Sequence, residues 1–290
     1  MTLRMLISLR EIAADYDGFI LDLWGLIHDG ETPYPPAAAT LAALQGAGKK
    51  TLLLSNAPRR ASALIDAMNK MGISRSLYGE VLSSGEATRA AMIDREDPFF
   101  AALGKRAYHI GPERDRNIFE DTGVDVVGAI TGADFVVNTG PRSLEEKVAD
   151  YEAELTAARD RTLPMVCANP DLVVLRAGRE VVCAGALAAR YREMGGAVAY
   201  RGKPDPAIYA AAVKQLGVAD RRRVVVVGDA LETDVKGATA SGLDSIWCTG
   251  GIHAASLGVT YGEAASADKA MALAAANGQK PTAAIPGFVW

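Results

Sequence analysis

The sequence predicts a doubly wound α/β protein with a second α/β unit inserted into it, and three observations support this prediction. Two apolar runs, Phe19–Leu21 and Val224–Val227, each end close to an acid, as buried strands of a parallel sheet often do at their carboxyl ends. Strand and helix patterns alternate up to about residue 86, which is typical of a parallel sheet. From about residue 87 to 185 the chain is long enough to bury a core of its own. We therefore expect an outer unit of residues 1–86 and 186–290, with hinges where it joins the inserted unit.

The composition indicates an ordinary globular protein and excludes several classes of partner. The chain has 290 residues, 49% of them apolar, and a formal charge of −4 from 31 basic and 35 acidic residues. No basic field favours nucleic acid or an anionic membrane. The longest apolar run near the N-terminus, Met5–Leu9, is too short for a signal peptide, and no run approaches the ~20 residues of a membrane helix. A cytoplasmic location is the default expectation.

The cysteines indicate a reduced core and no zinc site. Cys167, Cys183 and Cys248 are odd in number and widely spaced, and none belongs to a Cys-x-x-Cys pair. We expect three buried, free thiols.

The first part of the chain supplies the elements of the predicted sheet in order. Ser8 and Glu11 have the spacing of a capping box, so a short helix is expected from Leu9 to about Ala14. After a proline-rich turn, helix formers and apolar runs predict alternating elements: a helix Ala37–Gln45, a strand Thr51–Leu54, a helix Arg59–Met71 and a strand at Val81-Leu82.

Polar side chains follow the first two of these strands. Asp22 comes directly after Phe19–Leu21, and Gly25 and Gly30 allow the backbone to turn sharply around whatever that carboxylate holds. The next strand ends on Ser55-Asn56, where we expect a hydroxyl, an amide and backbone N–H groups to form a phosphate-binding site. This edge of the sheet is the expected functional edge.

The second half of the chain returns two more charged elements to that edge. Asp229 and Asp234 follow the valine tetrad, and acids at the ends of neighbouring parallel strands can hold Mg²⁺ beside a phosphate. Lys203 lies between Gly202 and Pro204, just before a helix that is capped by Asp205 and extends to Leu216. We expect this lysine to face an anion.

The inserted unit and the return from it are predicted from shorter patterns. Within the unit, strands are expected at Ala107–Ile110, Phe135–Val137 and Met165–Ala168, the last followed by the turn-like Asn169-Pro170-Asp171. The outer unit is expected to resume with a helix Ala186–Met194 and a strand Ala197–Tyr200. The C-terminal segment 283–290 either packs or frays.

These motifs together resemble the haloacid dehalogenase superfamily of aspartyl-phosphate phosphotransferases. The resemblance is to its type IIA group, which includes NagD-like proteins, 4-nitrophenylphosphatases and pyridoxal phosphatases. It covers nearly the whole chain and rests on four motifs in the family's order, with a cap element between the second and third: Asp22, Ser55-Asn56, Asn169-Pro170-Asp171, Gly202-Lys203-Pro204 and Gly228-Asp229 through Thr233-Asp234. It implies a Rossmann-like core with an inserted type IIA cap. It also implies a Mg²⁺-dependent phosphatase of a small phosphorylated metabolite, such as a sugar phosphate or pyridoxal phosphate, and makes a cap-to-cap homodimer an expectation.

The resemblance also implies a role for each matching residue. Asp22 is the nucleophile that forms an aspartyl-phosphate. The Mg²⁺ ligands are Asp22, the backbone carbonyl of Trp24, Asp229 and, through water, Asp234. The phosphoryl group and the substrate are held by Ser55, Asn56 and Lys203 from the core, and by Asn169 and Asp171 from the cap.

Trp24 departs from the family's Asp-x-Asp motif, whose second acid protonates the leaving oxygen. Tryptophan cannot supply that proton, and general acid–base catalysis is typically worth about 10²–10⁴ in rate. In one interpretation His28, Asp29 or Asp171 supplies the proton instead; in a second, the substrates are esters that need none. A third is dehalogenase-like chemistry without Mg²⁺ or phosphonatase-like chemistry with a cap lysine. The non-enzymatic alternative is a catalytically weak or inactive protein that binds phosphorylated metabolites.

Overall fold

The computed structural model describes residues 3–290, so the first two residues of the predicted outer unit lie outside it. Among these residues the strands are β1 (Arg4–Met5), β2 (Gly18–Leu21), β3 (Lys50–Ser55), β4 (Glu80–Ser83), β5 (Arg106–Ile110), β6 (Asp125–Val127), β7 (Phe135–Asn138), β8 (Met165–Cys167), β9 (Val173–Arg176), β10 (Arg179–Val182), β11 (Val198–Tyr200), β12 (Val224–Gly228), β13 (Asp244–Cys248) and β14 (Ala283–Ile285). The α-helices are α1 (Ala37–Gly46), α2 (Ala61–Lys70), α3 (Ser84–Asp94), α4 (Pro98–Ala101), α5 (Glu152–Asp160), α6 (Ala184–Glu193), α7 (Pro206–Leu216), α8 (Lys236–Ala240), α9 (Ala254–Leu257) and α10 (Ala267–Ala276).

The larger sheet is parallel, and its strand order is β1-β14-β13-β12-β2-β3-β4. The chain runs from β2 outward through β3 and β4, and later runs from β12 outward in the opposite direction. The order therefore reverses between β2 and β12, which is where open α/β sheets bind their ligands. Leu21 pairs with Val227 in register, so the segments that follow both strands leave the sheet at the same level. The doubly wound α/β fold is confirmed.

The inserted unit carries a second parallel sheet, with the order β11-β8-β7-β5-β6, and an antiparallel hairpin of β9 and β10. Its core is separate from that of the first sheet and includes Val136, Leu155 and Tyr191. Residues that follow β5, β7 and β8 line the same cavity as residues that follow β2, β3 and β12. The carboxyl edges of the two sheets thus face one space.

The predicted return to the outer unit at residue 186 is wrong. β11 pairs with β8 of the second sheet, Val198 opposite Met165, and α6 buries Leu187 in that unit's core. The inserted unit therefore extends to Tyr200. At its other end, α3 begins at the end of β4 but packs Met92 into the inserted unit. An apolar pattern indicates that a segment is buried, but it does not indicate which of two sheets will supply its hydrogen bonds.

The remaining differences are small. The expected N-terminal helix is a single 3₁₀ turn, Leu9–Glu11. The C-terminal segment packs, since Phe288 is fully buried and the backbone N–H of Leu9 donates to the carbonyl of Val289 (2.8 Å). The three cysteines are free and buried, as predicted. No helix among the described residues is long and apolar enough to cross a membrane.

Candidate active site

Three buried carboxylates meet where β2 and β12 end. Asp22 follows β2, Asp229 follows β12, and Asp234 lies in a π-helical turn, Leu231–Val235, that precedes α8. Each side chain is buried, and one oxygen from each lies within 4.8 Å of the others. The two strand ends thus bring together the acids that the sequence analysis singled out.

Lys203 lies among these acids. Its Nζ donates to Asp22 Oδ1 (2.6 Å) and to Asp234 Oδ1 (2.7 Å), and the residue is only 3% exposed. Burial opposes its charge, but the carboxylates of Asp22 and Asp234 outweigh burial and hold the pKa of Lys203 well above its ordinary value. When all three carboxylates are ionised, one lysine leaves an excess of two negative charges in this buried site.

Burial and mutual repulsion raise the pKa values of two of these acids. Burial raises the pKa of Asp22 to about 7, with Asp234 adding to the effect and Lys203 opposing it. Burial, followed by the charges of Asp22 and Asp234, also raises the pKa of Asp229. A set of oxygen donors with surplus negative charge fits a hard divalent cation. In the part of the chain that the structure describes, no backbone N–H donates to the carbonyl of Trp24, so this oxygen is available as a further ligand.

Glycines hold Asp229 in place by leaving room for it. Gly25 has φ +82°, and a Cβ there would lie 1.9 Å from Asp229 Oδ2. A Cβ at Gly251 would lie 2.2 Å from the same oxygen, which accepts a hydrogen bond from the backbone N–H of Ile252 (2.6 Å). Backbone thus surrounds this carboxylate closely, and any side chain at either glycine would displace it.

Gly25→Ala is expected to weaken divalent-metal binding about tenfold to hundredfold, the range typical of damage to the groups that orient metal ligands. Gly48→Ala is the matched control, because Gly48 also has positive φ (+70°) but has no atom within 4 Å of a built Cβ. Both variants should lose about 1 kcal/mol of stability from the left-handed backbone. Calorimetric titration with Mg²⁺ checks the difference, and equal affinities in the two variants would contradict this account of Gly25.

The Ser55-Asn56 motif lies at the end of β3, beside Lys203. Ser55 Oγ accepts a hydrogen bond from the backbone N–H of Ala57 (3.2 Å). Asn56 Oδ1 accepts from the backbone N–H of Lys203 (2.7 Å), and its Nδ2 donates to Asp171 Oδ1 (2.8 Å) and to the carbonyl of Lys203 (3.1 Å). The Asn56 side chain therefore links the lysine loop to the inserted unit, and its backbone is left for a ligand.

The Asn169-Pro170-Asp171 element reaches this site from the end of β8. Asn169 Oδ1 accepts a hydrogen bond from the backbone N–H of Asp171 (3.0 Å), so the asparagine side chain stabilises its own turn. Burial raises the pKa of Asp171, opposed by Lys203 and by the hydrogen bond from Asn56. Both residues line the cavity, and a role in holding substrate stays a prediction for them.

Trp24 binds the hairpin of the inserted unit. Its indole Nε1 donates to the carbonyl of Leu175 in β9. The ring lies against Gly30 (φ +93°), where a Cβ would be 2.1 Å from Trp24 Cζ2. A contact between Arg176 and Glu31 (Nε to Oε1, 3.2 Å) joins the same two segments. Trp24 thus holds the hairpin over the loop that follows Asp22.

This hairpin was missed at the sequence level, although a signal for it is present. The runs Val173–Arg176 and Arg179–Val182 flank Ala177-Gly178, and β-branched runs separated by two residues that include glycine are typical of a tight hairpin. The hairpin also supplies Val174, Leu175 and Val181 to the cavity wall.

Two of the three predicted substitutes for the missing acid are poorly suited to donate a proton. His28 is buried, its Nδ1 accepts from the backbone N–H of Gly30 (3.0 Å), and burial lowers its pKa to about 4, so the ring is neutral at pH 7. The Asp29 carboxylate accepts from the backbone N–H groups of Glu31 and Thr32; burial raises its pKa, but these bonds outweigh burial and lower it. At neutral pH neither group carries an acidic proton.

The comparisons with known proteins find relatives of this chain. A family model described as haloacid dehalogenase-like hydrolase matches residues 19–125, and one described as HAD-hydrolase-like matches residues 200–274. A solved hydrolase of the haloacid dehalogenase-like family from Brucella suis 1330 is 34% identical, with a TM-score of 0.84 over 98% of this chain and 100% of that one.

Two further comparisons concern a protein of Mycobacterium tuberculosis. Its D-glycerol 3-phosphate phosphatase is 27% identical over 85% of this chain and 67% of its own length. A crystal structure of glycerol phosphate phosphatase from this organism in complex with magnesium is 25% identical, with a TM-score of 0.65 over 84% of this chain and 70% of that one.

Proposed function

The chain belongs to the haloacid dehalogenase-like hydrolases, in the type IIA group, and from that premise we propose that it is a Mg²⁺-dependent phosphatase of a small phosphorylated metabolite. The observation that carries the proposal is the buried cluster of Asp22, Asp229, Asp234 and Lys203, in which one lysine faces three carboxylates. The relatives named as glycerol phosphate phosphatases, one of them with bound magnesium, support the same reaction and metal.

The residues of the chain divide the reaction among them. Lys203 occupies Asp22 Oδ1, which leaves Oδ2 to attack phosphorus while the alcohol oxygen departs. Lys203 and the Ser55 hydroxyl, with the Asn56 backbone, bind the phosphoryl oxygens and offset their charge. Water then attacks phosphorus and releases phosphate from the aspartyl group. Asp22, Asp229 and the Trp24 carbonyl, with Asp234 acting through water, would hold Mg²⁺, which would offset the repulsion between these carboxylates and the phosphoryl group.

The replacement of the family's second acid by Trp24 determines which phosphate esters we expect the protein to hydrolyse fastest. Trp24 uses its only polar hydrogen on Leu175, and His28 is neutral at pH 7. Of the predicted substitutes only Asp171 has a raised pKa, and its Oδ1 is already engaged by the hydrogen bond from Asn56 that holds the inserted unit on the core. We therefore expect fastest turnover on esters whose leaving oxygen departs without protonation.

Phosphate release from aryl and alkyl phosphates of graded leaving-group pKa, with and without Mg²⁺, tests this function. In the wild type, kcat/KM should require Mg²⁺ and fall steeply as leaving-group pKa rises. Trp24→Asp should gain about tenfold to hundredfold on alkyl relative to aryl phosphates, because it restores an acid. Trp24→Phe is the matched control: it loses the same bond to Leu175 but gains no carboxyl group.

Other outcomes assign the site differently. If kcat/KM depends only weakly on leaving-group pKa in the wild type but steeply in Asp171→Asn, Asp171 is the proton donor. Tight binding of phosphate esters without any turnover would favour the phosphometabolite-binding protein, the alternative that Trp24 itself suggests.

The other chemistries of the family have less support. Dehalogenases work without Mg²⁺, whereas this chain buries three carboxylates with surplus charge. Phosphonatases use a lysine of the cap, whereas the lysines that line the cavity among the described residues, Lys203 and Lys236, both come from the outer unit.

A further inference from the structure

A second charged cluster lies in the same cavity and spans the junction of the two units. Arg59 is three residues after Asn56, in the outer unit, while Arg114 and Asp115 lie on a 3₁₀ segment after β5, in the inserted unit. Asp115 Oδ1 is 3.7 Å from the Nε atoms of both Arg59 and Arg114. These distances are ion-pair contacts without a hydrogen bond.

The polar atoms of this cluster make few hydrogen bonds within the described part of the chain. Asp115 is 3% exposed, and its Oδ1 has no hydrogen-bond partner among the described residues. Within residues 3–290, the contacts of both guanidinium groups with an acidic side chain are the two at 3.7 Å. A guanidinium offers up to five N–H donors in a planar fork that matches a carboxylate or a phosphate. Both arginines line the cavity, and their contacts with Asp115 use little of this donor capacity.

The charge balance favours an anion here. Two arginines face one carboxylate, and Arg176 of the hairpin, which lies nearby, is already paired with Glu31. Burial, opposed by Asp115, lowers the pKa of Arg59, which shows that this guanidinium has lost part of its hydration. A desolvated cation with unused donors binds an anion more strongly than a hydrated one does.

We propose that Arg59 and Arg114, positioned by Asp115, bind a second anionic group on the leaving alcohol of the substrate. The substrate class is then a phosphate monoester whose alcohol also carries a carboxylate or a second phosphate. This proposal rests on the proposed phosphatase function. The first phosphate of such a substrate binds at Asp22. Because the two arginines come from different units, its second anionic group then contacts both the outer and the inserted unit.

Matched substrate pairs test the subsite on the Mg²⁺-loaded protein. 3-Phosphoglycerate and glycerol 3-phosphate differ by a carboxylate in place of a hydroxymethyl group, and fructose 1,6-bisphosphate and fructose 6-phosphate differ by one phosphate. The wild type should prefer the more anionic member of at least one pair by about tenfold or more in kcat/KM. The pair that shows the preference distinguishes carboxylate from phosphate.

Arg114→Gln should remove that preference, with kcat/KM falling about tenfold more on the anionic member than on its partner. Arg114 is largely exposed, so folding should survive the change. The control is Arg116→Gln, which lies on the same segment, pairs with Glu113 and does not line this cavity; it should keep the wild-type preference.

The two proposals fail in different ways. Equal rates within both pairs, or an unchanged preference in Arg114→Gln, would overturn the subsite while phosphate release upholds the phosphatase. No phosphate release from any ester would overturn the phosphatase. The subsite is then decided by calorimetric binding of the same pairs to the wild type and to Arg114→Gln, where equal affinities would overturn it.

Discussion

Asp22→Asn is expected to lower phosphate release by about 10⁴-fold or more, the order of loss seen when a covalent nucleophile is removed. An amide oxygen at this position is a poor nucleophile and cannot form the acyl-phosphate. The variant should still fold, because it removes one of three crowded buried carboxylates and retains a side chain of the same shape. Turnover of an aryl phosphate at saturating Mg²⁺ measures the effect, and circular dichroism checks folding.

Asp17→Asn is the matched control for this change. Asp17 comes just before β2, at the opposite edge of the sheet, where it pairs with Arg223. We expect turnover close to that of the wild type. A folded Asp22→Asn variant that retained most of its activity would refute the assignment of Asp22 as nucleophile.

Lys203→Met is expected to destabilise the metal-free protein by about 3–5 kcal/mol, the cost of removing one partner from a buried ion pair. Lys203 is the cation that contacts both Asp22 and Asp234, so the variant buries these carboxylates without compensation. Turnover should also fall by about 10²–10³-fold, because the developing phosphoryl charge loses a donor. Urea unfolding without metal and steady-state kinetics with Mg²⁺ measure the two effects.

Two comparisons make the Lys203 prediction specific. Lys214→Met, an exposed position on α7 after the same loop, should leave both stability and turnover nearly unchanged. Saturating Mg²⁺ should restore more stability to Lys203→Met than to the wild type, since the cation then offsets the uncompensated charge. Equal stability of Lys203→Met and Lys214→Met without metal would show that the buried pair contributes nothing.

The loop after β2 combines chemistry and closure in one short segment. In the proposed function Asp22 is the nucleophile, while Trp24, two residues later, holds the hairpin of the inserted unit. A tryptophan here gives up proton transfer and gains a contact across the junction. We therefore expect slow turnover of esters with poor leaving groups, together with a hairpin that is held firmly over the site.

The sequence by itself determined the first sheet and the centre of the site. The valine tetrad and Phe19–Leu21 are continuous apolar runs, which only strands covered on both faces require. Adjacent parallel strands end at the same edge of a sheet, so acids that follow two such strands lie close together there. The structure brings Asp22 and Asp229 together as expected. Lys203 could be placed because Pro204 and Pro206 restrict the backbone that follows it and fix the start of the next helix.

Only the tertiary structure decided the membership of β11, the docking of the hairpin on Trp24, and the cluster of Arg59, Arg114 and Asp115. Val198–Tyr200 reads as a buried strand in either sheet, and its pairing with Met165–Cys167 depends on which edge the folded chain leaves open. No sequence pattern distinguishes Arg59 or Asp115 from the other charged residues of the chain. Their desolvation and their 3.7 Å approach arise only when two units that fold around separate cores close on each other, because burial and charge proximity are properties of the assembled chain.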